Sequence, residues 1–467
     1  MKKNNRLWFV LAGCFLLRGI VFLIFKPWDH SVVSSVILQG DAKYYDAIAN
    51  NLLDHRSFSH TSPSFPDAIR TPLYPMFISF FYSIFGRLPW LVILAQLLVE
   101  VVSCLFVFKT AELAFNRKTA IISSTFYAID PFLIGYSLTL LSEDIFLVCI
   151  VISCFFLVRY LKEGQRINHL VLSSFFLGIT ILVRPVALYL IVILPVFLLL
   201  QPGQSKNRVW SPLIYLLTAL IVISPWLIRN KTTFGSFFLS TSGNYNMLVL
   251  FVAPMQTEKG AANSETAKNK LLQEADSLAV AGGKRPDSLN DFEKSFYWRK
   301  LALSYIREHP VLFVKSYGIG MVHSFTNLDT KHISETLHLV QLGTKFEIKE
   351  YPGFSSAARG FLKSKTRAEI TIAIFLSLFL IVSYAFALKG LAAGLGQSDR
   401  RMWLLFAGYF LYFILLAGPA GLVRFRLPSI PFMDVFIGVG LYSFRGWWKK
   451  ARIYAVCVMK APFERWQ

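Results

Sequence analysis

Charge is scarce in this chain. Asp, Glu, Lys and Arg together make up 16% of its 467 residues, whereas 55% are apolar. An ordinary soluble domain carries about 25% charged residues and no long apolar runs, so composition excludes that class. Cysteine is also rare. Cys14, Cys104, Cys149, Cys154 and Cys457 are odd in number, and four lie inside apolar stretches, so no disulfide framework or metal-ligand spacing follows. GxGxxG, Walker and GxSxG motifs are missing, and a soluble nucleotide is not the expected cofactor. His55, His60 and His323 form no HExxH-like pattern, so no zinc site is expected. There is no internal repeat, heptad or low-complexity tract.

What the chain does have is a series of apolar segments at 7–25, 88–108, 119–136, 144–160, 167–183, 185–201, 210–228, 368–388, 402–418 and 428–445. Each approaches the ~20 residues that a membrane-crossing helix needs. The 167–201 stretch is split at Arg184-Pro185, as in a helix hairpin, because proline cannot continue a helix. The basic start followed by an apolar run to Phe25 has no small-residue cleavage site, so it reads as an uncleaved first span. The expected fold class is an all-α polytopic membrane protein.

The net charge of +21 does not point to nucleic acid, because the basic residues fall in short loops where orientation signals belong. Lys2, Lys3 and Arg6, then Lys109, Arg117 and Lys118, then Arg159, Lys162 and Arg166, then Lys206 and Arg208 occupy alternate loops, which marks the cytoplasmic side. Lys389, Arg400, Arg401 and the basic tail fall on that side too. The 26–87 loop, Glu143, Arg184, Arg229 and Arg424 to Arg426 then share the outer face.

Four regions follow: an N-terminal transmembrane module over 1–229 with its first outer loop at 26–87, an extracytoplasmic insertion over 230–367, C-terminal spans over 368–445, and a basic cytoplasmic tail over 446–467. The 310–325 run is expected to be an interfacial helix, because a span there would turn Lys389, Arg400 and Arg401 outward.

The first outer loop is the most informative stretch. From Asp41, the residues Tyr44, Tyr45, Ile48 and Leu52 recur at helical spacing, one side of a short interfacial helix. Asp41 at its start is expected to accept backbone N–H bonds and stay ionised, the state a general base needs. Glu143 opens another helix on the same face, where it could orient an acceptor hydroxyl or hold a divalent cation. Arg70, Arg184, Arg229, Arg424 and Arg426 supply guanidinium forks, whose geometry matches phosphate oxygens. Lys43, Tyr44, Tyr45 and Tyr74 are candidate substrate contacts, although membrane edges enrich tyrosine for physical reasons alone.

The order of these pieces resembles the GT-C membrane glycosyltransferases, in the branch similar to aminoarabinose transferases and protein O-mannosyltransferases (glycosyltransferase family 39-like). The resemblance rests on Gly40-Asp41-Ala42-Lys43-Tyr44-Tyr45, Arg70-Thr71-Pro72-Leu73-Tyr74-Pro75, Leu141-Ser142-Glu143 and Val183-Arg184-Pro185. It continues in Pro225-Trp226-Leu227-Ile228-Arg229-Asn230 and Arg424-Phe425-Arg426-Leu427-Pro428. It implies a GT-C helix bundle with interfacial helices in the first outer loop, and a polyprenyl-phosphate sugar donor entering from the membrane lipid. Asp41 matches the family's catalytic aspartate.

Asp41 would take a proton from an acceptor hydroxyl in a single, inverting displacement, while Arg70 with Arg424 or Arg426 binds the departing phosphate. Ala42 stands where protein mannosyltransferases carry the second residue of a paired Asp-Glu, which leaves lipid, glycan and protein acceptors open. Two alternatives are a glycan polymerase or ligase with pyrophosphate-linked donors, and a lipid or solute transporter. No cofactor is required by the residues, and a divalent cation stays open.

Overall fold

A computed structural model describes residues 5–201, 209–258, 264–336, 360, 365–394 and 400–443, and no strand occurs among them. Among the described residues, six helices are long and apolar enough to cross a membrane: Asn5–Phe25, Pro89–Ala114, Glu143–Lys162, Trp210–Phe234, Arg367–Gly394 and Arg400–Ala420. Each coincides with an expected span. The first of these turns Trp8, Phe9, Leu16 and Leu23 outward, an apolar face of the kind that lipid covers. Helices approach closely where a side chain is missing: a Cβ on Gly178 would lie 2.6 Å from Val222 Cβ on the Trp210–Phe234 helix. Without a hydrophobic drive between spans in lipid, such close packing carries helix association.

The expected split at Arg184-Pro185 is present, although the two flanking helices pack against the Trp210–Phe234 helix rather than against each other as a hairpin. The Ile167–Val183 helix ends there, and the chain continues through a 3-10 turn, Pro185–Ala187, into Leu190–Leu199. The 119–136 span requires correction. Asn116 caps a helix over Arg117–Ile129, 13 residues long and therefore about 20 Å, so the stretch is not one continuous helix. Asp130 stops it because the residue before proline is driven out of the helical region. Its carboxylate then caps the next short helix, Pro131–Tyr136, by accepting from the Phe132 and Leu133 N–H groups. The last expected span begins with a 3-10 turn at Leu427–Ser429 and is helical over 430–443.

Helices from both ends of the chain share one apolar core, in which Phe108, Phe146, Leu177 and Tyr215 meet Phe406, Phe413 and Phe436. The insertion has a smaller core of its own, including Leu248, Leu271, Trp298 and Leu301, and Ile69 from the first outer loop packs against it. The Pro310–Thr326 helix has 17 residues and lays Gly320 on the backbone of Pro419. Much of 337–364 and the tail from 446 lie outside the described residues.

Two locks fix the first outer loop. Asp46 accepts from Tyr82 Oη at 2.7 Å and pairs with Arg87, which joins the Ala42–His55 helix to Leu73–Phe85. Thr71 Oγ1 donates to the Val183 carbonyl at 2.8 Å, which sets Arg70 beside the end of the Ile167–Val183 helix.

Candidate active site

Gly40, at φ +58°, makes the left-handed turn that delivers Asp41 to the start of the Ala42–His55 helix. Asp41 stands in the capping position, yet its own φ and ψ are helical and its side chain caps nothing. The sequence expectation of backbone N–H bonds is therefore wrong. The carboxylate instead turns to arginines from the far end of the chain and from its own loop. Arg424 Nη1 donates to Asp41 Oδ2 at 2.6 Å, and Arg70 Nη2 lies 3.8 Å from Oδ1.

Arg424 carries the connection onward. It sits on the 3-10 turn Val423–Phe425, and its Nε donates to Glu143 Oε1 at 2.7 Å. Glu143, in the first turn of the Glu143–Lys162 helix, is 2% exposed and also pairs with Arg184. The extended backbone that Pro185 imposes on Arg184 ends its helix there. Glu143 Oε2 is buried and without a hydrogen-bond partner among the described residues. Five residues from four separated segments thus form one chain: Arg70, Asp41, Arg424, Glu143, Arg184.

Access differs along this chain. The Asp41 side chain is 43% exposed, against 18% for Arg424 and 11% for Arg70. Burial on its own would raise the Asp41 carboxyl, but Arg424 and Arg70, with Arg184 behind them, outweigh it and hold the group below its ordinary range. Asp41 is therefore an ionised, accessible carboxylate. Tyr45, whose hydroxyl lies 3.5 Å from Ser142 Oγ, is pushed the other way by burial and by Asp41. Arg70 also covers the Tyr44 ring at 4.2 Å, with the Lys43 ammonium 4.9 Å from the same ring.

Three of the expected site residues stand apart from this chain. Arg229 donates to the Asp67 carbonyl at 3.1 Å and covers Trp226 at 4.6 Å. Arg426 is 2% exposed, covers Phe132 at 3.9 Å and donates to the carbonyls of Ser324, Phe325 and Asn327. Tyr74 is fully buried, packs edge-on against Tyr45 and donates to Gln96 Oε1 at 2.6 Å.

Sequence reading passed over Asp67, which governs Arg70. Its Oδ1 accepts from the Ile69 and Arg70 N–H groups, and its Oδ2 from Arg70 Nη1 at 3.1 Å. The available signal was Asp67-Ala68-Ile69-Arg70, the spacing of an Asx turn. A cavity of about 740 Å³ at the end of the first helix, lined by Ile20, Leu23, Ile24, Lys26 and Asp29, includes none of these residues.

Residues 69–228 match the family model described as dolichyl-phosphate-mannose-protein mannosyltransferase. A comparison with curated proteins finds no match. Among solved structures, the fold resembles the Archaeoglobus fulgidus oligosaccharyltransferase tethered with an acceptor peptide, with a TM-score of 0.51 and 13% identity over 97% of this chain and 51% of that one. The same archaeal enzyme, AglB, in complex with an inhibitory peptide and a dolichol-phosphate gives a TM-score of 0.50 and 14% identity, over 100% and 53%. ArnT from Cupriavidus metallidurans bound to undecaprenyl phosphate gives 0.43 and 12%, over 94% and 77%. The chain spans about half the length of the oligosaccharyltransferase structures it matches. It has the all-helical membrane fold of the GT-C glycosyltransferases, the group it resembles in sequence.

Proposed function

We propose that this protein transfers a sugar from a polyprenyl-phosphate donor to an extracytoplasmic acceptor, with inversion at the anomeric carbon and Asp41 as general base. The observation that carries this reading is a carboxylate in a capping position that forgoes its cap and meets two guanidinium groups at an accessible edge. An acceptor hydroxyl gives its proton to Asp41 as its oxygen bonds to the anomeric carbon. The bond from that carbon to the phosphate oxygen breaks, and the phosphate leaves with the electron pair. Negative charge grows on the phosphate during this step, and Arg424 and Arg70 are the cations within reach.

Arg424 has two roles in this account. In the free protein it holds Asp41 ionised, and an arriving phosphate competes for the same guanidinium. As phosphate draws Arg424 away, Asp41 becomes a stronger base. Glu143, itself paired with Arg184, anchors Arg424 from behind. The family match and the archaeal neighbour in complex with dolichol-phosphate support a lipid-phosphate donor. Basic loops on alternate connections support a plasma-membrane orientation with this site facing outward.

The test is mass spectrometry of envelope lipids and glycans from cells carrying the native chain, Asp41→Asn, or no copy. Loss of one hexose- or pentose-sized increment in both defective strains is the expected outcome. An increment that persists with Asp41→Asn overturns the role of Asp41.

A further inference from the structure

His60, Asp67 and Asp291 bring one ligand atom each to within 4.8 Å of one another. The first two belong to the first outer loop; Asp291 is the first residue of the Asp291–Glu308 helix in the insertion. We propose that these three side chains bind a divalent transition-metal ion, zinc or a first-row neighbour, which clasps the insertion to the loop that carries Arg70. The inference is independent of the sugar-transfer reading.

The donor set is the first argument. One imidazole and two carboxylates give a neutral site with a divalent ion, with a position left for water, a set that zinc and its neighbours accept. Asp67 is already oriented for it. Its Oδ1 is fixed by two backbone N–H groups, and Arg70 takes one side of Oδ2, which leaves one lone pair directed at His60. His60 Nδ1 lies 2.6 Å from that oxygen. A tetrahedral ion with bonds near 2.0 Å would hold the same two atoms roughly 3.3 Å apart, so the pair opens by less than ~1 Å.

Charge is the second argument. Asp67 is fully buried and Asp291 half-buried, and two carboxylates this close repel unless a cation lies between them. Asp291 is not needed to cap its helix, because Asn290 and Glu293 already form a capping box there. Asp291 is thus free to face Asp67. The loop and the insertion meet at this point in any case: Thr241 N–H donates to the Ala68 carbonyl at 2.8 Å, and Ser240 Oγ to the Ile69 carbonyl. An ion on Asp67 would fix the turn that orients Arg70 toward Asp41.

The rival is a protonated His60 bridging the two carboxylates with no metal. The experiment uses the full chain purified in detergent, with metal content measured by mass spectrometry after equilibration with zinc and removal of the excess. Wild type is expected to retain about one equivalent, and Asp291→Asn and His60→Gln under a tenth of that, with a chelator lowering Tm only in wild type. His60→Cys separates the rivals, because a thiolate ligates zinc but carries no positive charge. It should keep the equivalent and, loaded with cobalt, show a thiolate charge-transfer band. Wild type without bound metal, full occupancy in Asp291→Asn, or loss of metal in His60→Cys each overturns the proposal.

Discussion

Two of the ionic clusters among the described residues differ in a way that separates structure from chemistry. Inside the bundle, Arg18 and Glu100 pair at 3.3 Å with side chains 1% and 0% exposed. Arg18 also donates to the Ala128 carbonyl, and Glu100 accepts from Tyr127 Oη at 2.9 Å. Nearby, Asp144 accepts from Ser137 and Gln96, and Gln96 links on to Tyr74. These groups are sealed from solvent, although Arg18 Nε and Glu100 Oε1 lack hydrogen-bond partners among the described residues. At the candidate active site, Arg424 is shared between two carboxylates and Asp41 is 43% exposed. Groups that can exchange partners are what a reaction with a charged substrate needs, whereas the closed cluster specifies helix packing.

The comparison breaks most sharply at its two acids. Asp41→Asn should lower turnover by a factor of about 10² to 10⁴, the usual worth of a positioned general base, with Tm nearly unchanged. Glu100→Ala should do the reverse. It strands a buried guanidinium and destabilises the fold by about 3–5 kcal/mol, measurable as a lowered Tm in detergent. A double change, Arg18→Met with Glu100→Leu, should recover much of that loss, because no charge is then left without its partner. Equal effects of Asp41→Asn and Glu100→Ala on Tm would erase the distinction.

Smaller changes sharpen it. Arg70→Ala should lower turnover by about 10² with KM altered less, since the phosphate charge it faces grows as the bond breaks. The same change removes a cation beside Asp41. Its pKa, depressed in the native protein, should rise, and the acid limb of kcat/KM should move to higher pH. An acid limb that stays in place would disconnect Arg70 from Asp41. Gly40→Ala should have the smallest effect. A Cβ there meets open space, so only the left-handed backbone is penalised, by about 1–2 kcal/mol, seen as a modest fall in Tm.

The sequence displayed the apolar lengths and the polar loops between them, so the six long spans and the residues Asp41, Glu143, Arg184 and Arg424 were legible. Each stands out as polar against an apolar background. Pairing was not legible, since nothing local says that Arg424 reaches Asp41 while Arg426, two residues on, turns toward the carbonyls of 324–327. The 119–136 error came from counting hydrophobicity across Asp130-Pro131, a dipeptide that breaks and caps a helix whatever surrounds it. Arg18 and Glu100 were visible as charges inside two spans and should have been read as partners. His60, Asp67 and Asp291 were invisible as a set because motif spacing cannot join residues from two distant segments.

The most direct measurement is the affinity of a polyprenyl monophosphate for the wild-type protein and for Asp41→Asn, set beside their turnover. If Asp41 and the donor phosphate share Arg424 and Arg70, removing the carboxylate's charge should tighten binding severalfold while sugar transfer falls by at least about 10². Weaker binding together with unchanged transfer would contradict the account.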